Sequence, residues 1–173
     1  MATDDQITRH DDFDPEEDVW VGEAPAATPV DIVDADPAWP ATFDELAHRI
    51  RLALGDRVIA LEHIGSTSVP GLPAKPIIDI DLTVGDSSDE SSYVPSLEGA
   101  GFVLTIREPR WHQHRCMVAT SPCANLHVWS PDSPRSSATA CSASGCAITR
   151  TTAPDMPRRS GQRTTSRTRP GRR

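Results

Sequence analysis

Two aspartates stand two residues apart in an otherwise apolar run, "PIIDIDLTV" from Pro76 to Val84. In an extended strand alternate side chains face opposite sides, so Ile78, Ile80, Leu82 and Val84 share one face, and Ile77, Asp79, Asp81 and Thr83 share the other. The Cα atoms of Asp79 and Asp81 then lie about 6.6 Å apart. Two carboxylates that close repel, and one tends to keep its proton unless a cation relieves the conflict. A Mg²⁺ ion held by both, with substrate phosphates completing its shell, is a common arrangement in phosphoryl chemistry. The bland alternative is the wet side of a half-buried sheet.

The residues before the pair suit phosphate. "EHIGSTSVPGLPAK" supplies a glycine, Gly65, that lets backbone approach a ligand, and three hydroxyl residues, Ser66, Thr67 and Ser68. Their hydroxyl and N–H groups can grip phosphate oxygens. Pro70, Pro73 and Pro76 stiffen the loop. Lys75 is the only lysine in the chain and can neutralise a phosphate or pair with an aspartate. His63 precedes the turn, either near the same cleft or as a hydrogen-bonded residue fixing a strand end. His112 and His114 flank Gln113 and read as a metal pair on a strand face or, more simply, as solvated loop histidines. Arg107, Arg110 and Arg115 are available as positive charge facing the aspartates or as ordinary surface residues.

These groups need elements to position them. Trp39, Phe43, Leu46, Ile50 and Leu54 recur at steps of four and three, one face of an amphipathic helix. Asp36 can cap it, Pro37 suits its first position, and Gly55 can end it. Short strands are expected around Val30–Val33, in "RVIALEHIG", over Ile77–Val84, and in "FVLTI", "HRCMVAT" and "ANLHVWS". A short helix is expected in "DESSYVPSLEGAG", with Pro95 an argument against it. The fold class is α/β (α+β), a mixed sheet with flanking helices.

The formal charge of −8 conceals a split. Residues 1–133 hold 24 acidic and 8 basic residues, a balance of −16, whereas residues 134–173 hold one acid and nine arginines, a balance of +8. Residues 1–27 read as an acidic disordered arm and 28–133 as the folded domain. The stretch 134–173 contains no Leu, Val, Phe, Trp or Tyr and cannot bury enough apolar surface to offset its ordering entropy. A basic nucleic-acid-binding tail is one reading of it. A reading-frame error in a GC-rich gene is the favoured one. With permitted synonymous codons, one added C beside the Pro134 codon restores "SPEVVRHRMLRERLRDHPDDRARYAAAKR", a helix-like string. On that reading nucleic acid is not the partner.

No apolar run approaches a membrane span, and the acidic start lacks a secretory signal, so a cytoplasmic protein is expected. The four cysteines form no C-x-x-C pair and read as reduced, incidental thiols.

The long motif "EHIGSTSVPGLPAKPIIDIDLTV", with "VDADPAWPATFDELAHRI" upstream and "GFVLTIREPR" to "ANLHVWSPDS" downstream, resembles the GrpB family over roughly residues 29–133. The restored C-terminal string is similar to that family's helical end. The resemblance implies a nucleotidyltransferase-like fold, in which Gly65 and Ser66 form the phosphate turn and Asp79 and Asp81 hold divalent metal. It also implies a third carboxylate on a later strand. In "ANLHVWS" that position is held by His127, a candidate proton shuttle but a poor Mg²⁺ ligand. The expected site is therefore Asp79, Asp81 and His127 for catalysis, with Gly65, Ser66, Thr67, Ser68 and Lys75 for nucleotide and Mg²⁺ as cofactor. The implied function is Mg-dependent nucleotidyl transfer to an unknown acceptor. The alternative is a non-catalytic module binding a nucleotide or other phosphate-bearing small molecule, with a coenzyme A-pathway kinase as partner.

Overall fold

The computed structural model describes residues 18–24, 31–131 and 133. The long helix α1 spans Trp39–Leu54 and buries Trp39, Leu46, Ala47, Ile50 and Leu54, close to the stripe read from spacing. It starts later than Pro37: Asp36 accepts the Ala38 N–H at 2.8 Å, and Pro40 sits in the first turn, where no amide donor is needed. Gly55 closes the helix with φ 57° and donates its N–H to Arg51 O. The Arg57 guanidinium donates to Leu54 O at 2.9 Å and Ala53 O at 3.0 Å, which satisfies carbonyls the helix leaves over.

Five strands follow: β1 Ala60–Ile64, β2 Ile78–Thr83, β3 Val103–Glu108, β4 His114–Thr120 and β5 Cys123–Trp129. They form one sheet in the order β1-β2-β5-β4-β3. Only β2 and β5 run parallel; the other neighbours are antiparallel. The sheet is mixed, as the interleaving of helix and strand patterns requires. The segment around Val33 contributes a single bridge, to Ala74.

One face of the sheet meets α1. Ile78, Ile80, Leu82 and Val84 are buried there with Leu126, Val128, Met117 and Leu104. The short helix α2, Val94–Gly99, forms despite Pro95, because that proline occupies its first turn, where the missing N–H has no helical partner. It is fastened by the turn before it. Glu90 accepts from Arg107 Nε and Nη2 and from Arg115 Nε, each at 2.7 Å, and the buried Tyr93 hydroxyl donates to Ser87 O. Arg107 and Arg115 therefore serve this ion network on the helix side of the sheet, away from the aspartates. Val19 and Val21, in the stretch expected as an acidic arm, exchange backbone bonds with Arg107 and Thr105 along the edge of β3. Residues 134–173 lie outside the described residues.

Candidate functional site

The opposite face of the sheet carries the polar residues, and strand register sets their order. On β2 and β5, Asp79 stands beside Asn125, Asp81 beside His127 and Thr83 beside Trp129. Asp79 and Asp81 share this face, as their spacing requires. Each is held by a neutral donor: Asn125 Nδ2–H gives to Asp79 Oδ1 at 2.8 Å, and Trp129 Nε1–H gives to Asp81 Oδ1 at 2.9 Å. Asp81 is only 8% exposed, so its orientation is fixed by its surroundings rather than by solvent.

The Gly65 turn rests directly on the first aspartate. A Cβ at Gly65 would sit 2.5 Å from Asp79 Oδ2 and 3.1 Å from Asp79 Cβ. Gly65 also has φ 70° and ψ −170°, a conformation essentially confined to glycine. The glycine is thus demanded by backbone conformation and by contact with the carboxylate together. The 3-10 turn Ser66–Ser68 follows. Ser68 Oγ donates to Gly65 O at 2.7 Å, and Thr67 Oγ1 donates to Ile77 O at 3.3 Å. Thr67 is buried, so its hydroxyl shapes the turn from within, while Ser66 and Lys75 are exposed. Beside the turn lies a cavity of about 250 Å³ lined by Pro37, Trp39, Pro40, Thr67, Ser68 and Pro70 among others.

His63 points to the helix side. It stacks on Phe43 with ring centroids 4.8 Å apart, and its Nε2 meets Thr67 Oγ1 at 3.1 Å. It is the residue that fixes the end of β1, and burial lowers its pKa more than the Asp79 charge raises it.

Two further features of this face depend on which strands lie side by side. Glu62 lies across from Asp81 in the β1–β2 register. Burial first, and the Asp81 charge second, push its pKa above the usual carboxylate value. The period-2 alternation of β1 was the available signal. His114 is the second feature. It is no loop residue but the start of β4, 3% exposed. Its Nδ1 lies 2.5 Å from Glu108 Oε2, and its Nε2 lies 3.0 Å from His127 Nδ1. Its ring stacks on Trp129 at 4.2 Å, with Trp111 edge-on to both. His112, by contrast, occupies the turn before β4 with φ 54°.

Among the described residues, no group of three or more His, Cys, Asp or Glu side chains could hold a metal ion by itself. On this face the Asp79 and Asp81 carboxylates form a pair, with Glu62 across from Asp81 on β1. No helix among the described residues is long and apolar enough to cross a membrane.

An α+β domain with a five-stranded mixed sheet, and a D-x-D pair set against a Gly-Ser turn, defines the class of the molecule. The family profile described as GrpB protein matches residues 29–141, and the chain belongs to the GrpB family. A UPF0157 protein of Halalkalibacterium halodurans is 51% identical over 115 residues, covering 66% of this chain and 59% of that protein. A protein named dephospho-CoA kinase, of Mycolicibacterium paratuberculosis, is 39% identical over 80 residues, covering 44% of this chain and 20% of that protein. The crystal structure of the conserved protein GrpB from Enterococcus faecalis superposes with a TM-score of 0.54 at 28% identity, covering 61% of this chain and 64% of that one. The chain spans less than two thirds of the length of these curated relatives.

Proposed function

We propose that the chain is a nucleotidyltransferase-like enzyme of the cytoplasm that holds a Mg²⁺–nucleotide between its Gly-Ser turn and its D-x-D pair, and transfers the nucleotidyl group to an acceptor hydroxyl. The observation that carries this reading is the contact between the Gly65 turn and Asp79, which sets the Gly-Ser turn beside a carboxylate that shares its face with Asp81. Gly65 and Ser66 would take the phosphates, with Thr67 and Ser68 holding the turn in shape and Lys75 reaching in from the exposed loop. Asp79 and Asp81 would hold the ion. Two carboxylates suit Mg²⁺, which keeps several waters and borrows phosphate oxygens rather than requiring a full protein cage. The ion, when bound, would supply charge neutralisation at the phosphates. The protein's own contribution is positioning, since Asn125 and Trp129 fix both carboxylates before any ligand arrives.

A second reading is a nucleotide- or cofactor-binding module without turnover. It is favoured by His127, which stands beside Asp81 where the enzyme superfamily supplies an acid. The relatives named dephospho-CoA kinase make a kinase of coenzyme A synthesis the natural partner for such a module. Pyrophosphate release separates the two readings. The full chain is incubated with Mg²⁺, each nucleoside triphosphate and hydroxyl-bearing acceptors, with Asp79→Asn as control. Release abolished by Asp79→Asn supports the enzyme. Mg²⁺-dependent binding without release supports the module, and no binding removes both.

A further inference from the structure

The cavity of about 250 Å³ lies between the start of α1 and the Ser66–Ser68 turn. Its walls are mainly ring and aliphatic surface: Pro37, Trp39 and Pro40 from α1 and its approach, Val69 and Pro70 from the loop. The two hydroxyls that line it are spent inward, Ser68 Oγ on Gly65 O at 2.7 Å and Thr67 Oγ1 on Ile77 O at 3.3 Å. Asp36 is the one charged side chain in the lining, and it is a carboxylate. Such a cavity disfavours phosphate and suits a flat, uncharged ring system. Size narrows the class further. An engineered apolar cavity of about 150 Å³ holds benzene, or about 25 Å³ for each ring atom. On that scale 250 Å³ takes about ten non-hydrogen atoms, the number in adenine.

We propose that this cavity is the base subsite of the nucleotide site and that it takes a purine. The assignment rests on the reading in which the Gly65–Ser66 turn holds the phosphates. One 3-10 turn separates the two places: at about 2 Å of rise per residue, Ser68 lies about 6 Å along the turn from Gly65. A single sugar bridges that gap. The Gly65 end of the turn touches Asp79, and the Ser68 end forms part of the cavity wall. A nucleotide laid along the turn thus has its phosphates at the glycine and its ring in the cavity. The walls are rigid before a ring enters. Trp39 is 6% exposed and packed in the core, and Pro37, Pro40 and Pro70 have almost no side-chain freedom to lose.

Saturation-transfer NMR of adenosine with the full chain, free of Mg²⁺ and phosphate, reads the cavity alone. Saturation should be strongest at the adenine H2 and H8 protons, weaker on the ribose, and retained in Asp79→Asn. It should be lost in Val69→Trp, whose indole fills the cavity from a position that is 48% exposed. Pro40→Trp, at another exposed position in the lining, gives the same reading if the first variant does not fold. No transfer to the ring protons, transfer unchanged in the folded tryptophan variants, or transfer lost in Asp79→Asn overturns the proposal. Calorimetry in Mg²⁺ then compares ATP, UTP and inorganic tripolyphosphate. ATP should bind at least about tenfold more tightly than either. Equal affinity of ATP and tripolyphosphate, or of ATP and UTP, also overturns it. Adenosine binding to which phosphates and Mg²⁺ add nothing would remove the phosphate reading of the Gly65 turn and leave the ring subsite standing.

Discussion

Replacing Gly65 with alanine probes the contact on which the site depends. The residue sits at φ 70° and ψ −170°, where a side chain costs about 1–3 kcal/mol of backbone strain. The new Cβ would also lie 2.5 Å from Asp79 Oδ2 and 3.1 Å from Asp79 Cβ, well inside van der Waals contact. Asp79 cannot yield without stretching its bond from Asn125, and a hydrogen bond to a charged group is worth about 1.5–3 kcal/mol. Together these give a destabilisation of about 3–5 kcal/mol for Gly65→Ala. Urea denaturation followed by tryptophan fluorescence reads it. The clash component is isolated by a double-mutant cycle with Asp79→Ala, which removes the obstructing carboxylate. The double variant should recover about 1–2 kcal/mol relative to additivity. A Gly65→Ala loss below about 1 kcal/mol, or strict additivity with Asp79→Ala, would refute the contact as described.

Asn125→Ala should loosen Asp79 and weaken Mg²⁺-dependent nucleotide binding by about tenfold, the cost of one charge-assisted bond; calorimetry checks it. Glu90→Gln removes the partner of the buried Arg115 and should cost about 3 kcal/mol at pH 7. Hydrogen bonding from Arg107 holds the Glu90 pKa below its ordinary 4.5, so its contribution is fully present above that pH and fades as pH falls below it. The stability difference between wild type and Glu90→Gln should therefore shrink in acid, read as converging urea midpoints. Burial pushes the Cys116 thiol up to about 11, so iodoacetamide at pH 8 should label the exposed Cys123 before Cys116, as peptide mass mapping will show.

The apolar scaffold was legible because period 2 and period 3.6 survive in single segments. Ile78, Ile80, Leu82 and Val84 announce one buried face, and the stripe from Trp39 to Leu54 announces the helix that covers it. That alternation also put Asp79 and Asp81 on one side, and Asn125, His127 and Trp129 on one side of β5. What sequence pattern does not contain is which strand lies beside which. The contact of His114 with His127 depends on the register of β4 against β5, and the position of Glu62 depends on the pairing of β1 with β2. Charge alone leaves Arg107 and Arg115 open, either facing the aspartates or as ordinary surface residues. Register puts Arg115 opposite Val128 on the core side, where Glu90 meets it. Pro95 argued against a helix only because its place within the first turn could not be read in advance.

The most direct test of the account is calorimetric titration of ATP into the full chain, with and without Mg²⁺, for wild type and Asp79→Asn. The account predicts binding that requires Mg²⁺ and weakens at least about tenfold when Asp79 loses its charge. Equal affinity in the two proteins, or binding indifferent to Mg²⁺, would contradict it.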